Sequence, residues 1–150
     1  MKNNVKKKYL ITGGAGFIGS HLSEKLIKDG HHLTIIDNLS TGSIKNLSSI
    51  IDHPRLKIII GSVIDLELME QLIKTTDEIF HLASSVGVKL IMDKPVETIE
   101  NIFEGTAVVL KYASRYRKKV LLTSTSEVYG KNKDVPFREE SDRVEGPTSS

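Results

Sequence analysis

The chain has 150 residues, enough for one domain with a buried core, and its 39% hydrophobic and 27% charged content is that of a globular protein. A net charge of +2 is too small to argue for a nucleic-acid partner, and the absence of cysteine excludes disulfides and thiolate metal sites. No apolar run approaches membrane-spanning length and the basic N-terminus is followed by too few apolar residues for a signal peptide, so a cytoplasmic protein without membrane, nucleic-acid or metal partners is the expectation.

Taken in order, Lys6-Lys7-Lys8 reads as a solvated leader to a first strand, Tyr9-Leu10-Ile11. That strand breaks into Thr12-Gly13-Gly14-Ala15-Gly16-Phe17-Ile18-Gly19, a turn without side-chain bulk. Gly14, Gly16 and Gly19 fit G-x-G-x-x-G, while Gly13, Gly16 and Gly19 fit the wider G-x-x-G-x-x-G. Such glycines let a pyrophosphate approach the backbone at a helix N-terminus, whose N–H groups are free to meet the anion. Glycines alone are weak evidence; a strand before, a helix after and an acid at the right distance strengthen them. The acid is Asp37, at the end of Leu33-Thr34-Ile35-Ile36. Alone, it reads equally well as a turn residue. With the glycine turn it reads as the acceptor for both hydroxyls of an adenosine ribose, favouring NAD over NADP because a 2′-phosphate would be repelled.

Helix one is predicted over Phe17–Lys28, with Glu24 and Lys28 as an outward pair and Gly30 as its stop. Strand three is Leu56–Ile60; Asp65 then caps a short helix with Glu67 in its first turn, ending near Lys74. Strand four is Glu78–Leu82, and a loop from Ala83 to Lys94 leads to a helix opened by Pro95 and reaching about Tyr116. Val96, Ile99, Ile102, Ala107, Leu110 and Ala113 are expected on that helix's inner face. Strand five is Val120–Thr123. Alternating β and α with short apolar strands predicts an α/β, Rossmann-type, doubly wound parallel sheet in three layers. The predicted order is 3-2-1-4-5, with the ligand across the carboxyl ends of strands one and four.

The segments TGGAGFIGSH (12–21), DNLSTG (37–42), HLAS (81–84), KP (94–95) and TSTSEVYG (123–130) spread over nearly the whole chain. Together they resemble the N-terminal half of an extended short-chain dehydrogenase/reductase, in the nucleotide-sugar epimerase, dehydratase and decarboxylase branch. The resemblance implies that the backbone around Phe17 and Ile18 meets the pyrophosphate, that Asp37 holds the adenosine ribose and that Asn38 lies beside it. It implies further that Leu82-Ala83-Ser84 passes along the cofactor, that His81 is structural, and that Thr125 shares a proton network with the sugar hydroxyl being oxidised. Glu127 matches the acid that dehydratases and decarboxylases of this kind use on the sugar.

Three departures stand out. Gly61-Ser62-Val63 replaces the family's Gly-Asp-Ile, so Ser62 must accept from the adenine amino group with a hydroxyl rather than a carboxylate. Asn101-Ile102-Phe103-Glu104-Gly105-Thr106 is one residue longer than N-x-x-G-T. That insertion is expected to turn Asn101 by about 100° relative to Gly105 unless a π-bulge absorbs it. Tyr129 and Lys133 satisfy Tyr-x-x-x-Lys by counting, but Gly130 and Asn132 make the segment a loop. The catalytic pair and the substrate-gripping half are therefore expected to be absent from residues 1–150, which form an incomplete NAD-binding domain. The leading expectation is the cofactor half of an NAD-dependent UDP-sugar 4-epimerase-like enzyme that binds a nucleotide-sugar. The alternatives are a UDP-glucuronate decarboxylase or GDP-mannose-type 4,6-dehydratase, and, in another class, a non-catalytic dinucleotide-binding module. A homodimer is a further expectation, by family analogy.

Overall fold

The computed structural model describes residues 5–84, 95–133 and 135–145. Strand β1 (Lys8–Thr12) runs into helix α1 (Phe17–Lys28), followed by β2 (His32–Asp37) and a 3-10 helix (Ile44–Leu47). Then come β3 (Leu56–Ile60), α2 (Leu66–Lys74), β4 (Glu78–His81), α3 (Pro95–Arg115), β5 (Lys119–Leu122) and a second 3-10 helix (Ser126–Tyr129). The strands form one parallel sheet in the order β3-β2-β1-β4-β5, the predicted doubly wound arrangement. Thr12, at the end of central β1, stands opposite Ile36 on one side and His81 on the other.

The period-2 alternation of β1 sends side chains into two cores. Tyr9 and Ile11 join Leu33, Ile35, Leu26, Ile27 and Leu47 beneath α1 and the first 3-10 helix. Leu10 joins Ile36, Ile79, Met69, Ile73, Val109 and Tyr112 beneath α2 and α3. Asp65 caps α2 as expected, its Oδ1 accepting from the Leu68 N–H at 3.0 Å.

Several local expectations need correction. Glu24 does not pair with Lys28; its carboxylate accepts from the Ser49 hydroxyl, and the outward i,i+4 ion pair is Lys25–Asp29 at 2.6 Å. Lys7 is more than a solvated leader, because its Nζ lies 2.6 Å from Glu78 Oε1, and Lys8 is already part of β1. The inner face of α3 is not the predicted one. Of the expected six, Ala113 is buried but Val96, Ile99, Ile102, Ala107 and Leu110 are exposed, and Thr98, Gly105, Val108, Val109 and Tyr112 are the other buried positions. Apolar residues ring this helix on most sides, so periodicity alone does not choose a face. Gly105 shows what does: a Cβ there would lie 2.7 Å from Val63 Cγ2, so only a bare position allows this approach.

Candidate functional site

The glycine turn is bare because its neighbours leave no room. Gly13 has φ +71°, and a Cβ on it would lie 2.8 Å from Ala83 N, just after β4. A Cβ on Gly19 would overlap the Gly13 carbonyl oxygen and come within 2.7 Å of Gly14 Cα. Helix α1 can therefore start close against the β1 turn. Its N-cap residue is Gly16, which offers no side chain to the helix, and no acidic residue occupies the first turn. The first helical bond runs from Ser20 N–H to Gly16 O. The N–H groups of Phe17, Ile18 and Gly19 thus stand at the positive end of the helix, and these three residues border the cavity described below.

Asp37 ends β2 beside this turn and is 8% exposed. Its Oδ2 accepts from the Ala15 N–H at 2.9 Å and its Oδ1 from the Leu39 N–H at 2.8 Å. Each carboxylate oxygen keeps a lone pair for another donor. The acid therefore holds the glycine turn as well as facing the cavity, a duty that spacing alone did not reveal.

A cavity of about 760 Å³ lies across the carboxyl ends of the strands, within the range of small-molecule sites. Its walls include Gly13, Gly16, Phe17, Ile18 and Gly19 from the turn, Asp37 and Asn38 from β2, Ser62 and Val63 after β3, and Leu82, Ala83 and Ser84 after β4. The rest of the loop predicted from Ala83 to Lys94, residues 85–94, lies outside the described residues. Ser62 accepts a long 3.4 Å bond from Ile64 N–H.

Asn101 and Gly105 both line the cavity on a continuous α3, so the inserted residue does not turn Asn101 away. Four residues apart on an α-helix is still one face. Sequence reasoning also passed over Ser40, Thr41 and Gly42 as wall residues, although they stand within the quoted DNLSTG segment. Thr123 and Ser124 line the wall too.

Thr125 reaches the cavity wall and caps the second 3-10 helix, its Oγ1 accepting from the Glu127 N–H at 3.2 Å. Glu127 is exposed on that turn and is not part of the cavity lining. Tyr129 points elsewhere as well, its ring stacked on Phe137 at 4.8 Å. Among the described residues, no tyrosine or lysine lines the cavity.

Beneath the cavity floor runs a buried polar chain. The Ala83 N–H donates to Thr12 Oγ1 at 3.1 Å, Thr12 Oγ1 lies 2.7 Å from His81 Nδ1, and His81 Nε2 lies 3.2 Å from Thr106 Oγ1. His81 is 2% exposed, and burial lowers its pKa below the usual 6.5. It ties β1, β4 and α3 together without lining the cavity.

The family model described as GDP-mannose 4,6 dehydratase matches residues 10–149. A UDP-N-acetyl-alpha-D-glucosaminuronate decarboxylase of Bacillus cytotoxicus is 48% identical over 145 residues, covering 97% of this chain and 44% of that protein. Among solved structures, a UDP-N-acetylglucosamine 4-epimerase from Methanobrevibacter ruminantium superposes with TM-score 0.83 at 34% identity, over 93% of this chain and 44% of that one. The dTDP-glucose 4,6-dehydratase DesIV of Streptomyces venezuelae, crystallised with NAD, gives TM-score 0.83 at 29% identity over 91% of this chain and 45% of its own. The chain spans less than half the length of each of these relatives. With the parallel sheet and the glycine turn beside Asp37, these matches place the chain in the extended short-chain dehydrogenase/reductase family, in the group described as GDP-mannose 4,6 dehydratase.

Proposed function

We propose that residues 1–150 are the NAD-binding part of a nucleotide-sugar enzyme that works by transient oxidation of a sugar carbon. The observation that carries this reading is the sharing of one cavity by an uncapped helix N-terminus and the Asp37 carboxylate. Their chemistry fits a dinucleotide: a diphosphate suits the N–H groups of Phe17 and Ile18, and ribose hydroxyls suit the remaining lone pairs of Asp37. The Ser62 hydroxyl and Val63 form the adenine end, and Leu82-Ala83-Ser84 the wall toward the nicotinamide. NAD bound there supplies an acceptor for the sugar's hydride, to be returned to the same sugar. The Thr125 oxygen is occupied by the Glu127 N–H, so its hydroxyl proton is free to donate to a sugar oxygen at the cavity wall.

For the sugar chemistry, decarboxylation of a UDP-uronate is supported by the 48% identity to the Bacillus decarboxylase and by Glu127 two positions after Thr125. UDP-sugar 4-epimerisation is the second reading, supported by the structural likeness to the Methanobrevibacter epimerase. The chain alone is expected to bind NAD and turn over no sugar, because no tyrosine or lysine faces the cavity among the described residues.

Titration calorimetry with NAD against NADP tests the cofactor assignment, and tighter binding of NADP would overturn the role given to Asp37. The sugar chemistry is read by adding UDP-glucuronate, UDP-N-acetylglucosaminuronate or UDP-glucose to an NAD-loaded protein that carries a Tyr-x-x-x-Lys helix after β5. Release of carbon dioxide supports the first reading and inversion at C4 the second; conversion of none would remove both.

A further inference from the structure

Ala15, at the middle of the glycine turn, is fully buried and held through both of the peptide units that flank it. Its N–H donates to Asp37 Oδ2 at 2.9 Å. Its carbonyl accepts two bonds, from the Ser43 N–H at 3.0 Å and from Asn46 Nδ2 at 2.8 Å. Asn46 comes from the 3-10 helix Ile44–Leu47, and the neighbouring Leu47 is buried in the core under α1, so the amide is delivered from an anchored element. A peptide is planar and trans. Drawing the Ala15 carbonyl toward Asn46 therefore turns the following N–H, that of Gly16, the opposite way, where it bonds Gly13 O at 3.2 Å. Gly16 is the N-cap residue of α1. The Asn46 amide, together with the Ser43 N–H, thus sets the orientation of the helix start, and through the same residue it steadies the N–H that holds Asp37.

We propose that Asn46 is a positioning residue for the dinucleotide: it fixes the Ala15 peptide so that the first-turn N–H groups of α1 and the Asp37 carboxylate face the cavity together. The proposal rests on the dinucleotide reading above and deepens it. Asn46 does not line the cavity, so its effect is pre-organisation rather than contact. Removing the amide leaves the Ala15 carbonyl its bond from Ser43, so the fold has a reason to survive while the turn loosens.

The test compares the full 150-residue chain with its Asn46→Ala and Asn46→Asp variants, using calorimetry with ADP and with NAD and a melting curve for each protein. ADP carries both the diphosphate and the adenosine ribose, so it reports on both arms of the grip. Asn46→Ala is expected to weaken both ligands about tenfold. Asn46→Asp, the same size but with an oxygen facing the Ala15 carbonyl, should weaken them at least as much. A purely space-filling role would leave Asn46→Asp close to the parent. If the parent binds ADP and NAD and both folded variants bind equally well, the positioning role is overturned and the dinucleotide reading stands. If the parent binds neither, the dinucleotide reading fails and takes this proposal with it. Should the variants not fold, NMR of the parent decides: the Asn46 side-chain amide resonances are expected to shift on adding ADP, and unmoved resonances would overturn the proposal.

Discussion

At the scale of single residues, the glycine turn works because three neighbours press on it: the Ala83 backbone after β4, the turn's own carbonyl at Gly13, and Ile35 from β2. A Cβ on Gly14 would meet Ile35 Cγ2 at 2.5 Å, as one on Gly19 would meet Gly14 Cα at 2.7 Å. Gly19→Ala should therefore push α1 off the sheet, costing about 1–3 kcal/mol in chemical denaturation and abolishing dinucleotide binding. Asp37→Asn retains the shape but has only one accepting oxygen for the Ala15 and Leu39 N–H groups. It should lose about 1–3 kcal/mol of stability and bind NAD more weakly, with less discrimination against NADP. The ring of His81 titrates below its usual 6.5 because burial disfavours the cation. The unfolded chain then binds more protons than the folded one in that window, so stability is present in full above 6.5 and lost as pH falls toward the folded value. Melting temperatures taken between about pH 7.5 and about pH 5.5 should fall more steeply for the parent than for His81→Gln.

The elements owe their ends to different local chemistry. Helix α1 begins at a bare glycine because the turn has no room for a capping side chain, whereas α2 begins at Asp65, whose carboxylate takes the Leu68 N–H. Asp65→Ala should cost about 1 kcal/mol, read from denaturation midpoints, without touching the cavity. Helix α3 is joined to α2 by Glu70, which accepts from Arg115 Nη1 at 2.9 Å and from the Tyr116 hydroxyl at 2.6 Å. That second bond, more than burial, raises the Tyr116 pKa above 10.0. The same helix presents Thr106 to His81 and Gly105 to Val63 beside the apolar side chains of Val109 and Tyr112 that pack on the sheet.

Over the whole molecule, the sheet leaves apolar surface uncovered at one end. Edge strand β5 has Leu121 at 50% and Leu122 at 49% exposure, and α3 shows Val96 and Phe103 at 66% and 72%. Such an edge and stripe favour association. The chain should self-associate at raised concentration in sedimentation velocity, and Leu121→Lys should reduce it; a monodisperse parent that melts cooperatively as a monomer would contradict this. The cavity, by contrast, is assembled from the carboxyl ends of all five strands and from α3, so it depends on the sheet order as a whole.

What the amino-acid order by itself determined is what operates over a few neighbouring residues. The run from Tyr9 through the glycines into α1, the Asp65 cap, the strand-and-helix alternation and hence the parallel order could all be read directly. Period and turn chemistry act within that range, and only a few chain paths satisfy them. The folded arrangement alone decided which side of α3 faces inward, because an apolar ring gives no preferred side until Gly105 meets Val63. It also decided that Glu24 meets Ser49, that His81 joins Thr12 to Thr106, and that Asn46 reaches Ala15. These partners stand 25, 69, 25 and 31 positions apart, and no local pattern encodes a hydrogen bond whose two ends meet only when separate elements dock.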